Sequence, residues 1–143
     1  MLPLRNLLSR VAALAAVMLI AACTSTPEAT PERDAQKHLE AVVQADGDGF
    51  YGRMAKLGIA TIQIDAGTPD PAIATLQTLA QRTDLEIPID GVLMQLGRAY
   101  DKAGKPADAI RAFTRIGDEF PESPYAGDAR TELDRLKSAA AGP

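Results

Sequence analysis

Few side chains in this 143-residue chain could carry covalent or metal chemistry. Cys23 is its only cysteine and His38 is its only histidine. An active site needs nucleophiles, bases or metal ligands that converge, and a lone histidine on a helix is more typical of a surface position. The acidic residues are scattered over solvated helix positions, and no glycine-rich phosphate loop occurs. We therefore predict that the protein is not an enzyme and binds no metal ion and no cofactor.

Residues 46–49 (DGDG) carry two carboxylates at the spacing with which a calcium-binding EF-hand loop begins. The rest of that loop is missing. Phe50 stands where the third ligand belongs, Tyr51 where the loop needs glycine, and Leu57 where the closing glutamate should be. The segment is better interpreted as a polar turn that ends one helix and precedes the next.

The elements that position these residues are amphipathic helices. Apolar residues recur three and four positions apart, which is the period of a helix with one buried face. Tryptophan is absent and aromatic residues make up 4% of the chain, which disfavours a β-sandwich. We predict an all-α fold of about six antiparallel helices over residues 31–45, 50–66, 70–82, 90–103, 106–120 and 124–138.

Two of the predicted helix turns belong to an internal repeat. Residues 66–81 (AGTPDPAIATLQTLAQ) align without gaps with residues 103–118 (AGKPADAIRAFTRIGD) at a shift of 37. In both copies a glycine can end one helix in the left-handed conformation and a proline can open the next. The first helix of the earlier copy is degenerate, because Lys56 stands in the place of Leu93 and Gln63 in that of Tyr100. The repeats cover about residues 53–89 and 90–123.

The later copy resembles the tetratricopeptide repeat (TPR). The residues at the positions of that family's pattern are Leu93, Leu96, Gly97, Tyr100, Gly104, Ala109, Phe113, Ile116 and Pro121. The resemblance implies a TPR-like α-solenoid of stacked helix pairs over residues 32–138, with residues 124–138 as a C-terminal cap helix. The alternative is another kind of helical hairpin with a glycine in its loop.

The same resemblance implies a protein-binding groove. In TPR proteins the first helix of each pair usually lines a concave surface. The corresponding positions here are Met54, Leu57, Thr61, Asp65, Met94, Arg98, Asp101 and Lys102. Methionine side chains adapt to apolar peptides, which suits such a groove. In the alternative interpretation Met54, Leu57 and Met94 pack against neighbouring helices and leave no open groove.

The chain begins with a segment that is typical of a secretory leader. Arg5 and Arg10 precede an uncharged run over residues 11–22, which is too short to span a membrane. The run ends in residues 19–23 (LIAAC), which resemble the lipobox of bacterial lipoproteins. That resemblance implies removal of residues 1–22 and attachment of acyl chains such as palmitate to Cys23. The alternative is an ordinary signal peptide in which Cys23 is incidental.

The segments at both ends of the helical domain have no apolar periodicity. Residues 23–31 contain the cysteine and a tether rich in serine, threonine and proline, and residues 139–143 are predicted to be a disordered tail. Thr24, in the place of the aspartate that retains enteric-type lipoproteins at the inner membrane, favours the periplasmic face of the outer membrane. The inner membrane is the alternative.

Charge narrows the range of partners. Removal of residues 1–22 takes away two bases and no acid, which leaves 13 basic against 19 acidic residues and a net charge of −6. An acidic domain disfavours nucleic acid, whose binding depends on a basic patch. No small-molecule substrate is expected either.

The expected role follows from the two resemblances. Residues 120–130 (FPESPYAGDAR) are similar to segments of outer-membrane assembly lipoproteins and of translocon-ancillary periplasmic TPR domains. We expect a membrane-anchored, periplasm-facing adaptor or scaffold in envelope assembly or secretion, whose partners are other envelope proteins. The alternatives are a chaperone-like holder of unfolded polypeptides and a self-associating structural lipoprotein.

Overall fold

A computed structural model describes residues 30–81 and 87–141. The predicted leader, Cys23 and most of the tether lie outside the described residues. Within them the chain forms α-helices and no strand. The six helices are α1 Pro31–Asp46, α2 Phe50–Asp65, α3 Pro69–Ala80, α4 Ile89–Lys102, α5 Pro106–Glu119 and α6 Ala126–Ala141.

The predicted all-α fold is confirmed, and the largest shift of a helix end is at α6. This helix begins two residues later than predicted, because Ser123 holds a turn in which its carbonyl accepts the Ala126 N–H at 3.0 Å. It ends at Ala141. Residues 139–141, which the sequence analysis assigned to a disordered tail, are therefore helical. The run of alanines at this end has the highest helix propensity of any residue type, which accounts for the extension.

The two repeat-related turns have the same geometry. Gly67 and Gly104 adopt φ values of 77° and 69°, in the left-handed region that favours glycine. The residue after each glycine closes the turn: Thr68 N–H donates to the Gln63 carbonyl at 2.9 Å, and Lys105 N–H donates to the Tyr100 carbonyl at 2.8 Å. The next helix then starts with a proline in both copies.

The helices stack in chain order from α2 to α6. Each contacts the next, and the first helices of the two repeats, α2 and α4, also contact each other. Phe113 of α5 is 1% exposed and lies against Gly97 of α4. The core includes Leu76, Leu93 and Ile116. These contacts form a TPR-like solenoid.

The first helix, α1, differs from the others because none of its residues is buried. It is held to α2 by an apolar contact, in which a Cβ added at Gly58 would lie 3.0 Å from Leu39 Cδ1. At the turn the Asp46 carboxylate accepts the Gly52 N–H at 2.8 Å. The predicted pairing of α1 with α2 is therefore limited to a weak contact near these residues, unlike the broader contact between each later pair of consecutive helices, and it leaves most of α1 exposed to solvent.

The contact between α4 and α5 predicts opposite effects for two glycine substitutions. Gly97→Ala places a Cβ inside the ring of Phe113, and such overpacking costs about 1–3 kcal/mol. Gly117→Ala is the matched control, because no atom lies within 4 Å of its added Cβ. It should stabilise α5 by up to about 1 kcal/mol through helix propensity. Denaturant unfolding of both variants measures the difference, and equal effects would contradict the packing described.

Candidate protein-binding face

The eight residues that the sequence analysis assigned to a groove lie on the first helices of the repeats, α2 and α4. Because these two helices contact each other, their residues form one surface, which we call the first-helix face. The structure leaves four of the eight side chains exposed, three half-buried and one buried. The exposed ones are Met54, Asp65, Arg98 and Lys102; the half-buried ones are Leu57, Thr61 and Asp101; the buried one is Met94.

The assignment of Met94 to an open groove is wrong. Its side chain is 1% exposed and belongs to the hydrophobic core. The cause is crowding around α4, which contacts α2, α3 and α5, so that eight of its 14 residues are buried. For Met94 the alternative interpretation, packing against neighbouring helices, is the one that the structure supports.

Two polar contacts occupy the part of the face where α4 ends. Lys102 Nζ donates to the Ile64 carbonyl at 3.2 Å, which joins α4 to the last turn of α2. Asp101 Oδ2 accepts a hydrogen bond from Arg135 Nη2 at 2.5 Å, which joins α4 to α6. Both side chains therefore link first helices to each other, and neither is available in full to a ligand.

Arg135 is a member of this face that sequence reasoning missed. Its Nε also donates to Glu132 Oε2 at 2.8 Å. The hydrogen bonds to Glu132 and then to Asp101 raise the pKa of Arg135 above its usual value, so the guanidinium stays charged. The repeat could have pointed to Arg135, because the residues 37 positions after those of α4 lie in α6.

Three side chains remain for a partner. Met54 is 36% exposed and offers an adaptable apolar contact. Asp65 and Arg98 are exposed, and neither has an ion pair with another described residue. A free guanidinium is suited to bidentate recognition of a carboxylate. Thr61 contributes less, because its hydroxyl donates to the Leu57 carbonyl at 3.0 Å.

Two clefts that sequence reasoning did not predict lie elsewhere, one in each repeat. The first, of about 240 Å³, is lined in part by Lys56, Ile59 and Thr75. The second, of about 210 Å³, is lined in part by Leu93, Leu96 and Ala112, each 37 residues later. The two clefts therefore share part of their lining in consecutive repeats, and α1 supplies the rest of the first one through Glu40, Val43 and Gln44. Both charged residues that line the first cleft have partners, because Lys56 Nζ lies 2.6 Å from Asp48 Oδ1 and Glu40 Oε1 accepts a hydrogen bond from Gln36 Nε2 at 2.8 Å.

The residues that the sequence analysis considered for metal binding or catalysis either bond to other parts of the protein or are exposed. Asp46 accepts the Gly52 N–H, and Asp48 pairs with Lys56, so residues 46–49 form a turn rather than a calcium loop. His38 is exposed on α1. No group of three His, Cys, Asp or Glu side chains in the described part of the chain could hold a metal ion. No helix in that part is long and apolar enough to cross a membrane.

Comparison with known families agrees with this geometry. Residues 92–123, which comprise nearly all of α4, then α5 and the turn after it, match the family model of the tetratricopeptide repeat. The chain contains a tetratricopeptide repeat. This repeat is a module for protein–protein interaction, so the fold supports protein partners in general. No curated protein and no solved structure gave a match.

Two methionine substitutions test the assignment of the first-helix face. Met94→Ala should destabilise the domain by about 2–5 kcal/mol, because it removes a buried side chain from the core. Met54→Ala, the matched control on α2, should change stability by no more than about 0.5 kcal/mol. The measurement is the free energy of unfolding in denaturant. Similar losses for both variants would show that Met54 is also a core residue.

Proposed function

We propose that this protein is a membrane-anchored, periplasm-facing adaptor that binds other envelope proteins through the first-helix face. The observation that carries the proposal is the set of accessible side chains on two adjacent first helices, namely Met54, Asp65 and Arg98. They combine one apolar contact with one charge of each sign. Such a surface suits a protein segment with mixed apolar and charged residues better than it suits a small molecule.

The anchoring part of the proposal depends on residues 1–31. The uncharged run over residues 11–22 and the LIAAC segment that ends at Cys23 support processing as a lipoprotein. Several acyl chains on one residue give stable membrane attachment, whereas a single chain binds only marginally. Thr24 supports the outer membrane as the destination. The net charge of −6 in the processed chain argues against attachment by anionic lipid headgroups alone.

Replacement of the acylated sulfur tests the anchor. Cys23→Ser should move the protein from the membrane fraction to the soluble fraction, because the acyl chains would have no thiol to which they attach. Ser25→Ala, two residues later, is the matched control and should stay with the membrane. The measurement is cell fractionation with immunodetection. A Cys23→Ser variant that still pellets with membranes would contradict lipidation.

Binding through the first-helix face has its own test. A photo-crosslinking amino acid at position 98 should capture a discrete partner protein in cells, because Arg98 is exposed on the first-helix face. The same group at Ala107, an exposed residue of α5, should not capture that protein. The measurement is mass spectrometry of the crosslinked bands. Identical capture from both positions, or none from position 98, would contradict the proposed face.

A second function, a chaperone-like holder of unfolded chains, is favoured by one specific observation. Phe50 and Tyr51 are 44% and 70% exposed, and they stand within a turn of Met54 at the start of α2. Exposed aromatic and methionine side chains of this kind bind unfolded segments with little specificity. In the crosslinking experiment a holder would give many unrelated partners. A self-associating lipoprotein would give only copies of itself.

A further inference from the structure

The two ends of the solenoid are half-repeats. Residues 32–43, which lie 37 positions before α3, fall inside α1. Residues 126–139, which lie 37 positions after α4, fall inside α6. By this shift α1 takes the place of a second helix and α6 that of a first helix. Among the described residues no first helix precedes α1 and no second helix follows α6.

The missing neighbour of α1 leaves an apolar stripe uncovered. The α1 stripe consists of Ala35, Leu39 and Val42, and its equivalents are Ala72, Leu76 and Leu79 in α3 and Ala109, Phe113 and Ile116 in α5. All six equivalents are at most 3% exposed. In α1, by contrast, Ala35 is exposed, Leu39 is half-buried and Val42 is 38% exposed. Apolar side chains at equivalent positions are therefore buried in α3 and α5 and at least partly exposed in α1.

The packing of α3 and α5 shows which contact α1 lacks among the described residues. Each second helix packs between its own first helix and the first helix of the next repeat. Helix α1 contacts the first helix of the next repeat, because Leu39 touches α2 at Gly58. Its contact with a first helix of its own, equivalent to that of Phe113 with Gly97, has no counterpart among the described residues. The uncovered side of the α1 stripe therefore has the residue spacing of an interface that this chain makes in both of its complete repeats.

The processed chain is too short to cover the stripe itself. This step rests on the proposed cleavage before Cys23, after which eight residues, 23–30, precede α1. A first helix such as α4 has 14 residues and needs a turn in addition. The cover must therefore come from a second molecule.

A second copy of this chain does not supply a suitable helix through α6. Asp134 lies 37 residues after Gly97, at the position where an added Cβ would overlap the facing aromatic ring. Arg130 and Lys137 likewise take the places of Leu93 and Tyr100. Docking of α6 on the α1 stripe would bury three charged side chains against apolar ones, which is strongly unfavourable.

We propose that the α1 stripe binds an amphipathic helix of another protein, antiparallel to α1, as α4 binds α5. The partner helix carries a large apolar residue, a second one three positions later and a small residue directly after it, the pattern of Leu93, Leu96 and Gly97. Its last turn is basic, because that turn lies beside the acids Glu32 and Asp34 at the start of α1, of which Glu32 is exposed and Asp34 is half-buried with one carboxylate oxygen 3.7 Å from Lys37 Nζ. The stripe thus adds one helix to the solenoid in trans.

The chain supplies its own probe for this interaction. A labelled synthetic peptide of residues 89–105 contains α4, which packs on the equivalent stripe of α5. Fluorescence anisotropy should show saturable binding of this peptide to the processed protein purified from membranes. Val42→Asp should weaken binding at least tenfold, and Val42→Ser should weaken it by a smaller factor. Ala41→Asp, an exposed position on another side of α1, should leave it unchanged, and a Leu96→Asp peptide should not bind.

Each other outcome overturns the inference. Equal affinity of the wild-type protein and Val42→Asp would place the peptide elsewhere, and absence of saturable binding would mean that the stripe has no affinity for such a helix. Sedimentation of the same samples tests self-association: a wild-type dimer that Val42→Asp converts to a monomer would show that a second copy covers the stripe. The intact mass of the purified protein separately shows whether residues 1–22 were removed. Their retention would contradict the proposed function without changing the anisotropy result.

Discussion

The close approach of α4 and α5 at Gly97 is the constraint on which the rest of the domain depends. Because Gly97 has no Cβ, the ring of Phe113 lies directly on the backbone of α4. On the same helix Leu93 and Leu96 are buried in the core, whereas Arg98 is exposed. Helix α4 also contacts α2 and α3, so three helices surround it. Together these contacts leave few residues of α4 accessible to a partner.

The same crowding explains why the first-helix face is smaller than the repeat pattern implies. Met94 is buried in the core. Asp101 and Lys102 form hydrogen bonds to α6 and α2, respectively. These contacts tie the three first helices together at one end of the face. Met54, Asp65 and Arg98 remain, so the binding surface is a small set of side chains on a rigid support. Rigid support lowers the entropy that binding must overcome.

The two terminal helices of the solenoid, α1 and α6, differ in the polarity of the side that a further repeat would cover. At the C-terminal end, α6 carries Arg130, Asp134 and Lys137 where a full repeat would have apolar residues, so its outer side is compatible with water. At the N-terminal end, α1 keeps the apolar residues of a second helix without their cover. Within the described residues, a polar cap is thus present at the C-terminal end and not at the N-terminal end. The difference lies in the side chains of α1 and α6.

Local features of this protein follow from its sequence. The six helices, the glycine and proline turns and the 37-residue repeat were predictable, because helix periodicity and turn chemistry depend on residues a few positions apart. The burial of Met94 and the pairing of Asp101 with Arg135 were not, because they depend on which distant helices surround α4. The α1 stripe shows the difference most directly. Its apolar spacing matches that of α3 and α5, yet its exposure differs, since burial requires a neighbouring helix and periodicity does not supply one.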